Sequence, residues 1–266
     1  MTRTRRRINL LCLLALLAAG CAHIATREEK ADSFKPYVQD RLDGQSLRDY
    51  MALRTAFVVA GAKPQAIEVH PDGMDIDLRP ADARAKVDLG SAAAIASDGY
   101  FLTAAHCVRR QPVYLIVYQP GGLAIVAARV VWSGPPDLPA CDLAVLKVQC
   151  AVPAAFGLAA DSEFNIGDCV VTTGAVGDAA GKLLESDPND SPGGGLPRTT
   201  TLIHDAPLAH GDSGGPLMTL NGNLIGIEIL VRIAYFGPRR GIALRPDPAW
   251  LSRLISDDRD SSKDSP

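Results

Sequence analysis

The chain has 266 residues, 47% hydrophobic, 21% charged and 5% aromatic, with 24 Gly and 19 Pro scattered without a period. That composition excludes collagen-like, low-complexity and disordered chains and calls for a packed core in one or two domains. The formal net charge of −3, from 27 basic and 30 acidic residues, provides no cationic field for non-specific nucleic-acid binding, so nucleic acid is not an expected partner.

Charge is most uneven at the start, where Arg3, Arg5, Arg6 and Arg7 precede an apolar run from Ile8 to Ala19. The run is shorter than the about 20 residues a membrane-spanning helix needs, and a basic stretch followed by about 7–15 apolar residues is the layout of a secretory signal. Its end, Leu17-Ala18-Ala19-Gly20-Cys21, resembles the bacterial lipobox, with Ala18 where Leu is usual. The resemblance implies a lipoprotein-type signal peptide over 1–20, acylation of Cys21, and a lipid anchor to a membrane of the cell envelope. Ala22 after Cys21 favours the outer membrane, facing the periplasm. An uncleaved anchor and an ordinary signal peptide, giving a secreted or periplasmic protein, are the other readings of this segment.

Residues 21–85 read as a tether and N-terminal extension. Leu42 to Val59 carries helical spacing of Leu47, Tyr50, Met51 and Leu53, and the Pro and Asp content of Ala62 to Lys86 suggests loop with short extended pieces. From Lys86 short strands alternate with turns: Ala92–Ala96 and Tyr100–Thr103 around Asp98-Gly99, Val113–Tyr118 and Leu123–Val131 around Pro120-Gly121-Gly122, Leu143–Val148, Cys169–Thr173, Thr199–Ile203, and Pro216–Leu220 with Leu224–Val231 around Asn221-Gly222. The spacing predicts an all-β barrel or sandwich over 86–255, and two small barrels fit the strand count. Ala175 to Arg198, rich in Gly, Asp, Ser and Pro, reads as a mobile surface loop, and 256–266 as a polar disordered tail.

In an exported protein Cys107, Cys141, Cys150 and Cys169 lie where disulfides persist, and four cysteines allow three pairings. Cys141 and Cys150 bracket the apparent strand Asp142–Val148, where nine extended residues span about 30 Å, so a bridge between them is disfavoured, and Cys107–Cys169 falls with it. Four unpaired thiols is the alternative. No C-x-x-C or His/Cys cluster suggests a metal, and no cofactor is expected.

The strongest chemical signal is His210-Gly211-Asp212-Ser213-Gly214-Gly215-Pro216. It contains the Gly-x-Ser-x-Gly of a nucleophile elbow, but that fold places its His after the Ser, and every His here (23, 70, 106, 204 and 210) precedes Ser213. The order His106, Asp142, Ser213 is instead that of the chymotrypsin arrangement. Thr103-Ala104-Ala105-His106-Cys107 and GDSGGP resemble the trypsin-like serine peptidases, and DGYFLTAAH and DLAVLKV are most similar to their bacterial HtrA-type branch, over roughly Lys86 to Pro248. The resemblance implies two six-stranded antiparallel β-barrels of the chymotrypsin type, here with a short, helix-bearing N-terminal extension and without a PDZ domain. It also implies a serine endopeptidase acting on polypeptide substrates.

Each residue has a chemical reason. A neutral Ser hydroxyl attacks an amide poorly, so His106 is the expected base, Asp142 its orienting carboxylate and Ser213 the nucleophile. The N–H groups of Gly211 and Ser213 are the expected oxyanion hole. Asp137 is the rival to Asp142. Activity is expected to rise as His106 loses its proton, near pH 6 to 7 for an ordinary imidazole. His210 is a candidate to line the substrate cleft, His204 reads as a loop or cleft residue, and His23 and His70 have no role.

Departures from the family bear on the rest. The Cys that usually partners the Cys after the catalytic His is replaced by Ser91, so Cys107 needs another partner; Cys141 is a candidate, which would leave Cys150 with Cys169. No activation sequence resembling IVGG follows a basic residue. Pro207 stands where trypsin carries its pocket-floor Asp, and Leu230, Val231 and the strand near Gly241 form the expected pocket wall, which implies a small or apolar P1 residue rather than Lys or Arg. A catalytically silent homologue that binds peptides or proteins through the same cleft is the alternative function.

Overall fold

The computed structural model describes residues 44–63, 67–69, 76–78, 87–119, 122–174, 177–189, 193–232 and 240–263, a few of them by backbone alone. The segment 1–20 read as a signal, Cys21, His23 and His70 lie outside these residues. The elements in chain order are α1 (Gly44–Ala52), β1 (Thr55–Ala60), β2 (Ile67–Val69), β3 (Ile76–Leu78), β4 (Asp88–Ala96), β5 (Tyr100–Thr103), β6 (Val113–Gln119), β7 (Gly122–Ser133), β8 (Ala144–Val148), β9 (Cys169–Gly174), β10 (Gly177–Pro188), β11 (Thr199–His204), β12 (Pro216–Thr219), β13 (Leu224–Arg232), β14 (Arg240–Pro246) and α2 (Pro248–Lys263).

Two closed antiparallel barrels result, one in the order β1-β4-β5-β8-β7-β6 and the other β10-β11-β14-β13-β12-β9, with β2 and β3 as a separate two-stranded ribbon. Closure leaves neither barrel with an unpaired edge. Each is filled from its own strands: Val58, Ala92, Phe101, Leu115 and Leu146 in the first, Val170, Leu183, Leu202, Leu217, Ile225 and Ala243 in the second. A third cluster joins them, where Leu102 and Val145 of the first barrel meet Val171, Met218, Ile227 and Leu244 of the second. Leu47 and Met51 of α1, and Leu251 and Ile255 of α2, pack into that same cluster. Each such aliphatic side chain contributes about 1.5–3 kcal/mol by leaving water, so the shared cluster holds the two barrels together.

Three expectations are corrected. The helical pattern read from Leu42 to Val59 ends at Ala52, and Thr55–Ala60 is instead the strand that closes the first barrel, pairing with β4 on one side and β6 on the other. The β-branched and aromatic residues of TAFVVA suit a strand buried between two neighbours, so the barrel begins before residue 86. The expected loop over Ala175–Arg198 contains β10, whose Asp178, Ala179, Ala180, Gly181 and Leu183 are all buried. Small residues are needed there because a side chain at Gly181 would strike the backbone of Ala206. The expected disordered tail is the second half of α2, which runs to Lys263. Asp247 caps it through an Ala249 N–H bond of 2.8 Å, Pro248 suits its first turn, and its polar residues bond the first barrel. Asp258 takes two bonds from Arg129, at 2.9 and 2.8 Å, and one from Tyr100, at 2.8 Å, while Arg259 grips Asp98.

Candidate active site

His106 follows β5 in a short 3-10 turn, Ala105–Val108, and Asp142 ends another, Pro139–Cys141, before β8. Strands β5 and β8 are paired through Thr103 and Ala144, so both side chains emerge at the same end of neighbouring strands. Asp142 then holds His106 twice. One carboxylate oxygen accepts the His106 backbone N–H at 2.8 Å and the other lies 2.7 Å from ring Nδ1. With Nδ1–H donating to the carboxylate, Nε2 is left as the acceptor. The bond to Asp142, assisted by the neighbouring Cys107, raises the His106 pKa above its ordinary 6.5. Asp137 makes no such contact among the described residues; Asp142 is the partner.

Ser213 lies on the turn between β11 and β12. Gly211 has φ 97°, and Gly214 has φ 87° in a place where a side chain would overlap the Ser91 carbonyl and the Thr103 hydroxyl. Only glycine meets both demands at 214. Asp212 is buried and builds the turn locally, its carboxylate accepting the Ala209 N–H at 2.7 Å. The N–H groups of Asp212, Gly214 and Gly215 are spent on Ala209, Glu228 and Asp212 carbonyls at 3.2, 2.7 and 2.9 Å. Those of Gly211 and Ser213 have no acceptor among the described residues. The turn is docked on the first barrel by the Ser91 N–H, which donates to Ser213 O at 2.7 Å, and by the Cys107 thiol at 3.5 Å from the same oxygen. The Ser213 hydroxyl makes no hydrogen bond to His106 among the described residues, so two of the three expected partners are joined, and the third is tied through its carbonyl to Cys107, the neighbour of His106.

Residues 90–227, which carry all three of these positions, match the family model described as trypsin-like peptidase domain. The chain belongs to this family.

Among curated proteins, this trypsin-like domain is 32% identical over 170 residues to a probable periplasmic serine endoprotease DegP-like from Brucella suis, covering 61% of the chain and 30% of that protein. It is 29% identical over 147 residues to the serine endoprotease DegS of Haemophilus influenzae, covering 54% of the chain and 42% of the relative. With the magnetosome formation protease MamE of Magnetospirillum gryphiswaldense it shares 27% identity over 172 residues, 61% of the chain and 21% of MamE. The chain therefore spans less than half the length of each. Among solved structures it superposes on the Rv3671c protease of M. tuberculosis in its active form, with a TM-score of 0.53 at 21% identity over 78% of this chain and 82% of that one. The MamO protease domain of Magnetospirillum magneticum gives 0.52 at 24% identity over 77% and 98%.

Within the trypsin-like domain the expected cleft residues separate. Pro207 and His210 are exposed on the approach to Ser213, and Leu230 and Val231 lie on β13 opposite Ile242 and Gly241, their side chains outside the described residues. His204, expected in a loop or cleft, is instead the fully buried last residue of β11, its Nε2 3.0 Å from Glu228 Oε2. Glu228 and His204 face the same interior end of the second barrel, because both belong to the rows paired with Ala243 and Gly241. A side chain at Gly241 would collide with the His204 ring. Glu228 also bonds Gly214 and Gly215 through its backbone, which puts this buried pair directly behind the Ser213 turn. A lone Glu within an apolar strand, LIGIEIL, was the available signal.

The expected disulfides are not formed. All four described cysteines are free: Cys107 is turned to Ser213 O, Cys141 lies 4.0 Å from Pro197 O, and Cys150 faces Gln119 at 3.6 Å. Burial raises the pKa of Cys141. Ser91, which the sequence reading places where a partner of Cys107 is usual, bonds the Ser213 turn instead.

Proposed function

We propose that the chain is a serine endopeptidase of the cell envelope that hydrolyses peptide bonds in polypeptide substrates. Ser213 Oγ attacks the scissile carbonyl carbon while His106 Nε2 takes its proton, and the oxyanion that forms is met by the N–H groups of Gly211 and Ser213. Asp142 keeps the His106 ring in the tautomer and orientation this requires and stabilises the imidazolium. His106 then returns the proton to the leaving amine, the C–N bond breaks, and an acyl-enzyme on Ser213 remains. Water, deprotonated by the same Nε2, releases the carboxylic acid and restores Ser213. The observation that carries this reading is the two-point hold of Asp142 on His106, beside a turn that leaves only alternate N–H groups unspent. Incubation of the folded protein with a fluorophosphonate tests it: covalent labelling at Ser213, abolished in Ser213→Ala, is expected, and an unlabelled protein overturns it.

The silent-homologue alternative draws on the missing Ser213–His106 hydrogen bond. Such bonds are often long in substrate-free sites and tighten on binding, and the same labelling decides between the two readings. The P1 side chain is small or apolar, bounded by Pro207, Leu230, Val231 and the strand at Gly241, with His210 at the cleft entrance. Profiling with a peptide library is expected to show such residues, and dominance of Lys or Arg would refute the assignment. The envelope location rests on the signal-like N-terminus with Cys21 as lipid attachment site, and on the DegP-like relative's description as periplasmic. Labelling with a fatty-acid analogue, lost in Cys21→Ala, is its test.

A further inference from the structure

Ser91 is fully buried on β4 of the first barrel, yet its N–H and hydroxyl are directed at the second. Its N–H donates to Ser213 O at 2.7 Å, its hydroxyl donates to Gly211 O at 2.9 Å, and its carbonyl accepts the Thr103 hydroxyl at 2.6 Å. The carbonyls it holds belong to the two residues whose N–H groups are unspent. We propose that Ser91 is a positioning residue whose hydroxyl sets the direction of the oxyanion donor at Gly211, a role that rests on the peptidase reading above.

Gly211 has neither a side chain nor an ordinary φ, so sterics alone leave its peptide orientation loosely determined. The plane between Gly211 and Asp212 is fixed at both edges, by the Ser91 hydroxyl on the carbonyl and by the Ala209 carbonyl on the Asp212 N–H at 3.2 Å. With that plane fixed, the Gly211 N–H points where the Gly211 dihedrals send it. The backbone N–H of Ser91 would persist with any non-proline residue at this position; the hydroxyl is the group that the side chain adds. Thr103 completes the device. It sits on β5, three residues before His106, and the β4–β5 ladder pairs Ala92 with Thr103. Base and oxyanion donors are therefore both referenced to one strand pair, although the donors belong to the other barrel. Preorganised donors are effective because they need no reorientation as charge develops.

The test compares the full chain with Ser91→Ala in peptide hydrolysis, thermal unfolding and inhibition by a peptide boronate with a small P1 residue, which forms a tetrahedral adduct on Ser213. Loss of a whole oxyanion donor typically costs about 100- to 1000-fold. A donor left in place but no longer held is expected to cost about 10- to 100-fold in kcat, with KM within about twofold. The boronate inhibition constant should weaken by the same factor as kcat/KM, while peptide binding to the Ser213→Ala background is unchanged by the added Ser91→Ala. A wild-type kcat in Ser91→Ala overturns the proposal, as does a loss that follows the melting temperature and leaves boronate affinity in step with substrate affinity. Should Ser91→Ala fail to fold, Ser91→Thr and Ser91→Val form a pair of equal shape, and only the hydroxyl-bearing member is expected to keep the higher kcat. Failure of wild-type labelling by fluorophosphonate would instead refute the peptidase reading itself, and the two failures are thereby distinguished.

Discussion

Asp142 grips His106 at two points, with one oxygen on the backbone N–H at 2.8 Å and the other on ring Nδ1 at 2.7 Å. The first bond fixes where the carboxylate sits, and the second fixes how the ring turns. Asp142→Asn preserves the shape, but its amide can donate to Nδ1 and so favour the tautomer with the proton on Nε2, where the base is needed. A loss of about 10⁴-fold in kcat is expected, with little change in fold, as in triads of this kind. Steady-state kinetics beside circular dichroism checks it, and a loss below about tenfold would argue against Asp142 as the orienting group.

The same contact moves the pH profile. Asp142 stabilises the protonated ring and raises its pKa, and the base works only when deprotonated. The acid limb of kcat/KM therefore lies on the alkaline side of 6.5, above the pH 6 to 7 of an ordinary imidazole. In Asp142→Ala it is expected to fall back toward 6.5 on a much lower plateau. For stability the sign is opposite: the extra hold of Asp142 on the charged His106 ring contributes fully below the unfolded pKa and is lost as pH rises through the raised native one, while the neutral ring keeps its Nδ1–H bond. Urea midpoints of the full chain and His106→Ala should accordingly draw closer at alkaline pH.

The motifs TAAHC and GDSGGP were legible as those of a trypsin-like peptidase, and the two barrels with them; the roles proposed for His106, Asp142 and Ser213 rest on their chemistry and chain order. The second barrel's end was not legible. His204 and Glu228 are separated by 24 positions in the chain, and only the β11–β14–β13 register brings them together. For β1 the limit was similar, since the strand is defined by Val58 facing Gly90 on one neighbour and Leu115 on the other, while its local spacing continues that of the preceding helix. Ser91 registered only as a missing cysteine; its role depends on a turn more than 100 residues away. In α2 the apolar residues Leu251, Leu254 and Ile255 were visible, but the partners of Asp258 and Arg259 lie on the first barrel.

The His204–Glu228 pair is expected to contribute to stability as a coupled buried hydrogen bond. His204 Nδ1 and Glu228 Oε1 are buried without hydrogen-bond partners among the described residues, so removing either side chain leaves the other polar group more exposed to an apolar setting. Glu228→Ala or His204→Ala should each cost about 1–3 kcal/mol for the polar group left unpaired. The combined His204→Ala and Glu228→Ala replacement should cost less than the sum, because no polar group is then stranded. Urea unfolding in the Ser213→Ala background, which removes self-cleavage, measures all three; additive losses would contradict the coupling.

Asp258 is the fastener of the C-terminal helix. Its carboxylate, only 13% exposed, receives both Arg129 nitrogens and the Tyr100 hydroxyl, and the Arg129 bonds lower its pKa while burial and the same contact push Tyr100 up to about 12. A bidentate bond backed by a third donor exceeds an ordinary surface ion pair. Asp258→Ala is therefore expected to cost about 1–2 kcal/mol. Because the folded pKa lies below the unfolded value near 3.8, this stabilisation is complete above that value and is lost as pH falls through the folded one. Melting temperatures of the full chain and Asp258→Ala should thus differ at pH 6 and converge toward pH 2. A difference that persists undiminished in acid would show that α2 is held by Leu251 and Ile255 in the shared core, with Asp258 contributing only shape.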